Sequence, residues 1–112
     1  MTFGEELKIF SSKYPYQEVQ IDGVSIRYVL AGGKEAPAVV FLNGLDMQEM
    51  WIRYVDALQD NYCALMIEYP LAWDTNQKMM DGVHALMNKL GIVKPVLIGG
   101  SDGGWAEAML KS

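Results

Sequence analysis

The chain has 112 residues, 51% of them apolar and 21% charged, with a formal net charge of −5. That leaves room for one domain with a modest core and excludes a disordered chain. The acidic balance argues against nucleic acid or an anionic membrane surface as a partner, and no apolar run is long enough to span a bilayer. Cys63 is the only cysteine, which excludes an intrachain disulfide and a cysteine-based metal cluster. It stands in an apolar run, residues 62–67, and reads as a buried structural thiol. The acidic start, residues 1–6, lacks the basic opening and apolar stretch of a secretory signal, so a cytoplasmic location is expected.

Residues 1–16 read as a lead-in. Phe3, Leu7 and Phe10 have loose helical spacing, and Tyr14-Pro15 ends the run, which suits a short cover helix. Residues 18–112 then form the core of a single domain. Residues 18–31 predict a hairpin turning at Asp22-Gly23: Val19 and Ile21 alternate with polar residues before the turn, and Val24, Ile26, Tyr28 and Leu30 alternate with Ser25, Arg27 and Val29 after it. Residues 38–42 are a continuous apolar run, the mark of a strand covered on both faces, and Asn43-Gly44 follows at its end.

Residues 47–58 predict a helix with Met47, Trp51, Tyr54, Val55 and Leu58 on one face. Residues 63–67 are a second buried strand, closed by Glu68-Tyr69-Pro70. A loop follows with Trp73 expected to be exposed, lining a pocket or a dimer contact. Asp74 or Thr75 caps a helix over residues 76–90, striped by Met79, Val83, Leu86 or Met87, and Leu90, with Gly91 as its stop. Val96, Leu97 and Ile98 form a third buried strand, and residues 103–111 open a last helix. The order is β-hairpin, β, α, β, α, β, α. Buried strands alternating with helices predict an α/β fold: a mostly parallel sheet with an N-terminal β-hairpin and helices on both faces.

The third of these strands runs into Gly99-Gly100-Ser101-Asp102-Gly103-Gly104. Gly99, Ser101 and Gly103 satisfy G-x-S-x-G, and the order strand, tight turn, helix is that of a nucleophile elbow. The glycines matter because a Cβ there would meet neighbouring backbone. Such a turn lifts the hydroxyl above the sheet edge at a helix N-terminus, where backbone N–H groups can stabilise a developing oxyanion.

From residue 18 to residue 112 the chain resembles the N-terminal half of an α/β-hydrolase. The resemblance rests on the strand ending in Asn43-Gly44, where the family usually has His-Gly, with Trp51 soon after. It rests also on the strand ending near Glu68, where the family often has Asp, and on the segment from Gly82 through Leu90-Gly91-Ile92 and Lys94-Pro95 to the Ser101 turn. It implies a truncated α/β-hydrolase fold, a serine hydrolase acting on carboxylic esters, and no cofactor or metal. Ser101 then matches the nucleophile. The backbone N–H groups of Asp102 and Leu45 match the oxyanion donors, and Asn43 and Gly44 support the loop.

The family also implies a triad ordered Ser, then Asp or Glu, then His. After Ser101 the sequence holds one acid, Glu107, and no histidine. The single histidine, His84, lies eight residues into the preceding helix, which at about 1.5 Å per residue puts it roughly 12 Å below the catalytic edge. It reads as a partly exposed surface residue, with a second role open to it: base in trans. An uncovered apolar strand of Val96, Leu97 and Ile98 invites pairing. A two-fold homo-oligomer across it would bring His84 of one chain towards the catalytic edge of the other. Asp102, Asp46 and Glu49 read as helix N-terminal charges, Trp51 and Trp105 as core, and the eight methionines as gap fillers. Against the enzyme stands a non-catalytic reading: a hydrolase-fold fragment that self-associates or complements another polypeptide.

Overall fold

The computed structural model describes residues 2–42 and 51–99. They form, in chain order, α1 (Phe3–Lys13), β1 (Gln17–Ile21), β2 (Val24–Ala31), β3 (Ala38–Leu42), α2 (Ile52–Leu58), β4 (Cys63–Glu68), α3 (Asn76–Leu90) and β5 (Val96–Gly99).

Local chemistry sets the ends of these elements. Thr2 caps α1 in a reciprocal box: its hydroxyl accepts from the Glu5 N–H while the Glu5 carboxylate accepts from the Thr2 N–H, each at 3.2 Å. The β1–β2 turn has positive φ at both central residues, Asp22 at 52° and Gly23 at 79°, as a two-residue hairpin of matching twist requires. Thr75 caps α3 through the Lys78 N–H at 3.1 Å. Gly91 ends α3 in the left-handed region, where its N–H and that of Ile92 take up carbonyls of the last turn.

The described sheet has the order β1-β2-β4-β3-β5. β2 is antiparallel to both β1 and β4, whereas β4, β3 and β5 pair in parallel. Thus β1, β3, β4 and β5 run one way and β2 alone runs the other, which is the mostly parallel sheet with a hairpin that the residue pattern predicts. The chain steps from β3 to β4 in one direction, then returns past β3 to β5. Right-handed crossovers made in opposite directions place their helices on opposite faces. Two core clusters follow. Val40, Leu42, Leu65 and Ile67 pack with Val83, Leu86 and Met87 of α3. Val39, Phe41, Ala64 and Met66 pack with Phe10 of α1 and with Trp51, Ile52 and Val55 at α2. The alternation along β3 and β4 is the period-two geometry of a strand apolar on both faces. α1 is held to α2 by the Arg53–Glu6 and Lys13–Asp56 ion pairs, both at 2.8 Å.

Several expectations are corrected. Trp73 is buried, 5% exposed, because its ring lies against Gly82 of α3 and near Tyr69. The core side of α2 is carried by Ile52 and Val55, and Tyr54 turns outward at 58% exposed. β2 is buried on both faces towards its end: Ile26 and Tyr28 face α3 while Val29 and Ala31 face α1 and α2. β5 is not covered like β3 and β4. Val96 is 56% exposed and Leu97 and Ile98 are half-buried, because β5 has a described neighbour, β3, on one side only. Among the described residues no helix is long and apolar enough to cross a membrane.

Candidate active site

The carboxyl ends of the parallel strands form one edge of the sheet, and the position of the site follows from their register. In the β3–β5 pairing Leu42 stands opposite Gly99. Adjacent strands lie about 4.8 Å apart. The chain therefore leaves β3 towards Asn43 and leaves β5 towards Gly100 from neighbouring points on the same edge. The strand order also reverses here, with α2 and α3 on opposite faces, which is where open α/β sheets form their ligand crevices. Asn43, Gly44 and Leu45, and Gly100, Ser101, Asp102, Gly103 and Gly104, lie outside the described residues, as do Glu107 and Trp105. Of the predicted site residues the structure describes Gly99, which closes β5, and His84.

His84 lies in the middle of α3, half-buried beside the core residue Val83. α3 starts near the carboxyl edge, where its first turns meet the hairpin tip in a cleft lined by Asp22, Val24 and Gly82. It ends at the opposite edge, where Leu90 and Gly91 meet Ala38 and Cys63. His84 is thus roughly 12 Å down the helix from its first residue. That is beyond hydrogen-bond reach of the chain's own carboxyl edge.

Glu68 ends β4 on the carboxyl edge. Its cross-strand partner is Arg27, whose Nη1 donates to both carboxylate oxygens at 3.1 and 3.2 Å. The same guanidinium lies 4.4 Å from the centre of the Tyr16 ring. Glu68 is therefore already engaged in a strand-to-strand clamp. Arg27 carried no signal in the sequence, because its role depends on the antiparallel register that sets it opposite Glu68. Leu71, two residues past Tyr69, projects from the same edge at 78% exposed.

The single cysteine sits at the other edge of the sheet. Cys63 begins β4 at the amino edge, 4% exposed, and burial pushes its thiol above the usual range, only partly offset by Lys34. It is a packing residue at the opposite end of the sheet from Gly99. Among the described residues no cluster of His, Cys, Asp and Glu is placed to hold a metal ion.

No protein-family model matches this sequence. A curated protein of Cupriavidus necator, the dihydrolipoyllysine-residue acetyltransferase component of its acetoin cleaving system, is 31% identical over 104 residues, which cover 85% of this chain and 28% of that protein. Among solved structures, a membrane phospholipase A described as a bacterial virulence factor superposes with a TM-score of 0.75 at 16% identity, covering 88% of this chain and 36% of its own. The carboxylesterase CesB of Bacillus subtilis gives a TM-score of 0.73 at 17% identity, covering 96% and 41%. Further neighbours include a lipase and epoxide hydrolases. The chain thus spans about a quarter of its curated relative and a little over a third of these solved structures. With its strand order, its two-sided helix cover and these neighbours, the chain has the α/β-hydrolase fold.

Proposed function

We propose that this chain carries the nucleophile half of a serine hydrolase acting on carboxylic esters, with Ser101 as the nucleophile. The observation that supports it most is the Leu42–Gly99 pairing. It sends the Asn43-Gly44-Leu45 segment and the Gly100-Ser101-Asp102 turn out from adjacent strands of one edge. In this reading the Ser101 Oγ bonds to the acyl carbon and its proton passes to a base. The carbonyl oxygen becomes an oxyanion held by the Asp102 and Leu45 N–H groups, with Asn43 and Gly44 supporting that loop. The C–O bond to the alcohol then breaks and the proton leaves with the alcohol. Water releases the acid from the acyl-serine by the same sequence. The glycines at 99, 100, 103 and 104 give the turn its room.

The base is the open element. His84 is out of reach of the serine turn in its own chain, and Glu68 is held by Arg27. We place the base outside residues 1–112 and assign to these residues alone the weak activity that an oxyanion site and binding sustain. A cytoplasmic, cofactor-free protein with a small ester substrate fits this reading. The test is hydrolysis of p-nitrophenyl acetate: Ser101→Ala should reduce the rate to the buffer blank. Equal rates for both proteins above the blank would sink the proposal.

The exposed edge of β5 favours a second reading, in which the chain is a non-catalytic fragment that self-associates or takes up a complementary polypeptide. Val96 is exposed, and no described strand pairs with β5 on its outer side. A two-fold pairing of β5 with its copy would make a continuous sheet and turn the partner's His84 towards Ser101. Sedimentation analysis tests the pairing, and a monodisperse monomer refutes it. Labelling by a fluorophosphonate separates the readings, since an activated Ser101 reacts and an inert one does not.

A further inference from the structure

The amino edge of the sheet carries a cleft of about 310 Å³ between the β2–β3 loop and the end of α3. Its floor follows from strand period. Leu65 and Ile67 of β4 face α3, so Cys63 does too, and Val40 sets Ala38 of β3 on the same face. Ala38 and Cys63 stand opposite each other in the register, and Leu30 of β2 adds to the floor. One layer further in, the Val40–Leu65 pair fills the space beneath α3 with larger side chains. At the edge the pair is small and α3 stops at Leu90, so helix and sheet part there and leave the cleft.

The mouth of the cleft is charged. Lys34 and Glu35 stand on one lip and Lys94 on the other, and all three are exposed. Among the described residues none of them forms an ion pair, whereas Lys13, Arg27, Arg53 and Lys78 each do. Two cations against one anion make a positive mouth on a chain of net charge −5. Burial raises the pKa of the Cys63 thiol and Lys34 pulls it part of the way back, which sets that ammonium near the floor. Lys94 has a φ of 52°, in the left-handed region that a residue with a Cβ adopts only against a steric cost.

We propose that this cleft binds a small carboxylate with an apolar tail, the tail against Leu30, Ala38 and Cys63 and the carboxylate between the Lys34 and Lys94 ammonium groups. An apolar floor with a few convergent polar groups is the ordinary make-up of a small-ligand site, and about 300 Å³ is the lower end of its size range. The lysine stems lie along apolar surface while their heads donate charge-assisted hydrogen bonds. Glu35 beside Lys34 opposes a second negative charge, which favours a monoanion over a phosphate. The site lies at the opposite edge of the sheet from Gly99, and the proposal is independent of the reading of Ser101.

The experiment titrates the full chain with sodium hexanoate and follows its nitrogen–proton spectra. Saturable shifts should gather at the amides of residues 34–36, 38, 63 and 90–94, with a Kd of about 1 mM for a ligand of this size. 1-Hexanol should bind about tenfold more weakly, and hexylammonium should not saturate these amides, since both keep the tail and change only the charge. Lys34→Gln and Lys94→Gln should each raise the hexanoate Kd about three- to fivefold, and Lys8→Gln on α1 should leave it unchanged. Both cleft lysines are exposed, so these variants keep the fold. Hexanoate shifts that do not saturate by about 20 mM, some twentyfold above the expected Kd, overturn the proposal. So do equal affinities for hexanoate and 1-hexanol, or a Kd unmoved when both lysines are replaced together.

Discussion

Gly82 lies inside α3, where glycine is a poor helix former, so Gly82→Ala ought by propensity alone to stabilise the protein by about 1 kcal/mol. The structure reverses the sign. A Cβ on Gly82 would lie 2.2 Å from Trp73 Cε2, 2.3 Å from Cζ2 and 2.7 Å from Nε1. Ordinary contact begins near 3.4 Å, so the ring must withdraw by about an ångström or more. It has little room to do so, being 5% exposed and packed beside Tyr69 at 5.3 Å. Overpacking of this kind costs about 1–3 kcal/mol. Full expulsion of an indole burying ~200 Å² would cost about 5 kcal/mol. Net of the helix gain, Gly82→Ala should destabilise by about 2 kcal/mol if the ring gives way in place and about 4 kcal/mol if it is expelled, lowering Tm by roughly 10–20 °C. Urea unfolding followed by circular dichroism measures it, with an unchanged slope confirming the same unfolded state. The decisive comparison repeats Gly82→Ala in a Trp73→Leu background, where the ring edge is gone and the substitution should be neutral or stabilising by up to about 1 kcal/mol. The same loss in both backgrounds would refute the reasoning.

Two other glycines separate backbone obstruction from backbone conformation. At Gly32, φ is +105° and a Cβ would lie 2.0 Å from the Tyr62 carbonyl oxygen, so Gly32→Ala should cost more than about 3 kcal/mol. At Gly91, φ is +74° in open space, so Gly91→Ala should cost about 1 kcal/mol, and equal losses at the two sites in thermal melts would contradict this contrast. The buried Cys63 thiol should resist iodoacetamide in the folded protein and react on unfolding, as mass spectrometry along a urea series will report; fast modification without urea would be inconsistent with its burial. The Asp56 carboxyl is held below its usual range by hydrogen bonds from Lys13 and then Tyr14. A depressed carboxylate pKa means stability present above the ordinary Asp value, about 3.9, and lost as pH falls through the folded value. Asp56→Asn should therefore cost a few tenths of a kcal/mol at pH 7, small because the pair is half in solvent, and the difference should shrink by pH 2. A difference independent of pH between 7 and 2 would rule the pair out as its source.

Much of the sheet was legible because period and punctuation are local. Asp22-Gly23 allows one tight hairpin turn, the apolar runs at residues 38–42 and 63–67 exclude a strand with a wet face, and Thr75 and Gly91 bracket α3 by their own backbone chemistry. What sequence pattern missed depends on distant partners. Trp73 reads as a loop aromatic until Gly82, nine residues on, is seen to leave a flat place for its ring. Tyr54 and Ile52 are both apolar enough for the core, and only the docking angle of α2 decides which goes in. The Arg27–Glu68 clamp exists only once β2 pairs antiparallel with β4. At the site, the strand of Val96, Leu97 and Ile98 was legible, whereas its pairing with β3 and the alignment of Gly99 with Leu42 came only from the sheet register. The position of His84 down α3 followed from helix rise alone.

The Leu42–Gly99 pairing and the buried tryptophan have a common cause in the strand order. Had the chain gone on from β4 to the next position outward, α2 and α3 would share a face and the carboxyl edge would hold no crevice. Because it returns past β3, β5 comes to lie against the strand that began the series, and the two segments leaving Leu42 and Gly99 become neighbours although 57 residues separate those two positions. The same return leaves β3 central among the parallel strands, with helices on both sides, so that Phe41 is fully buried and offers Trp51 a stacking surface. A tryptophan there is driven in by the apolar area it buries, and its ring finds a stacked partner in Phe41.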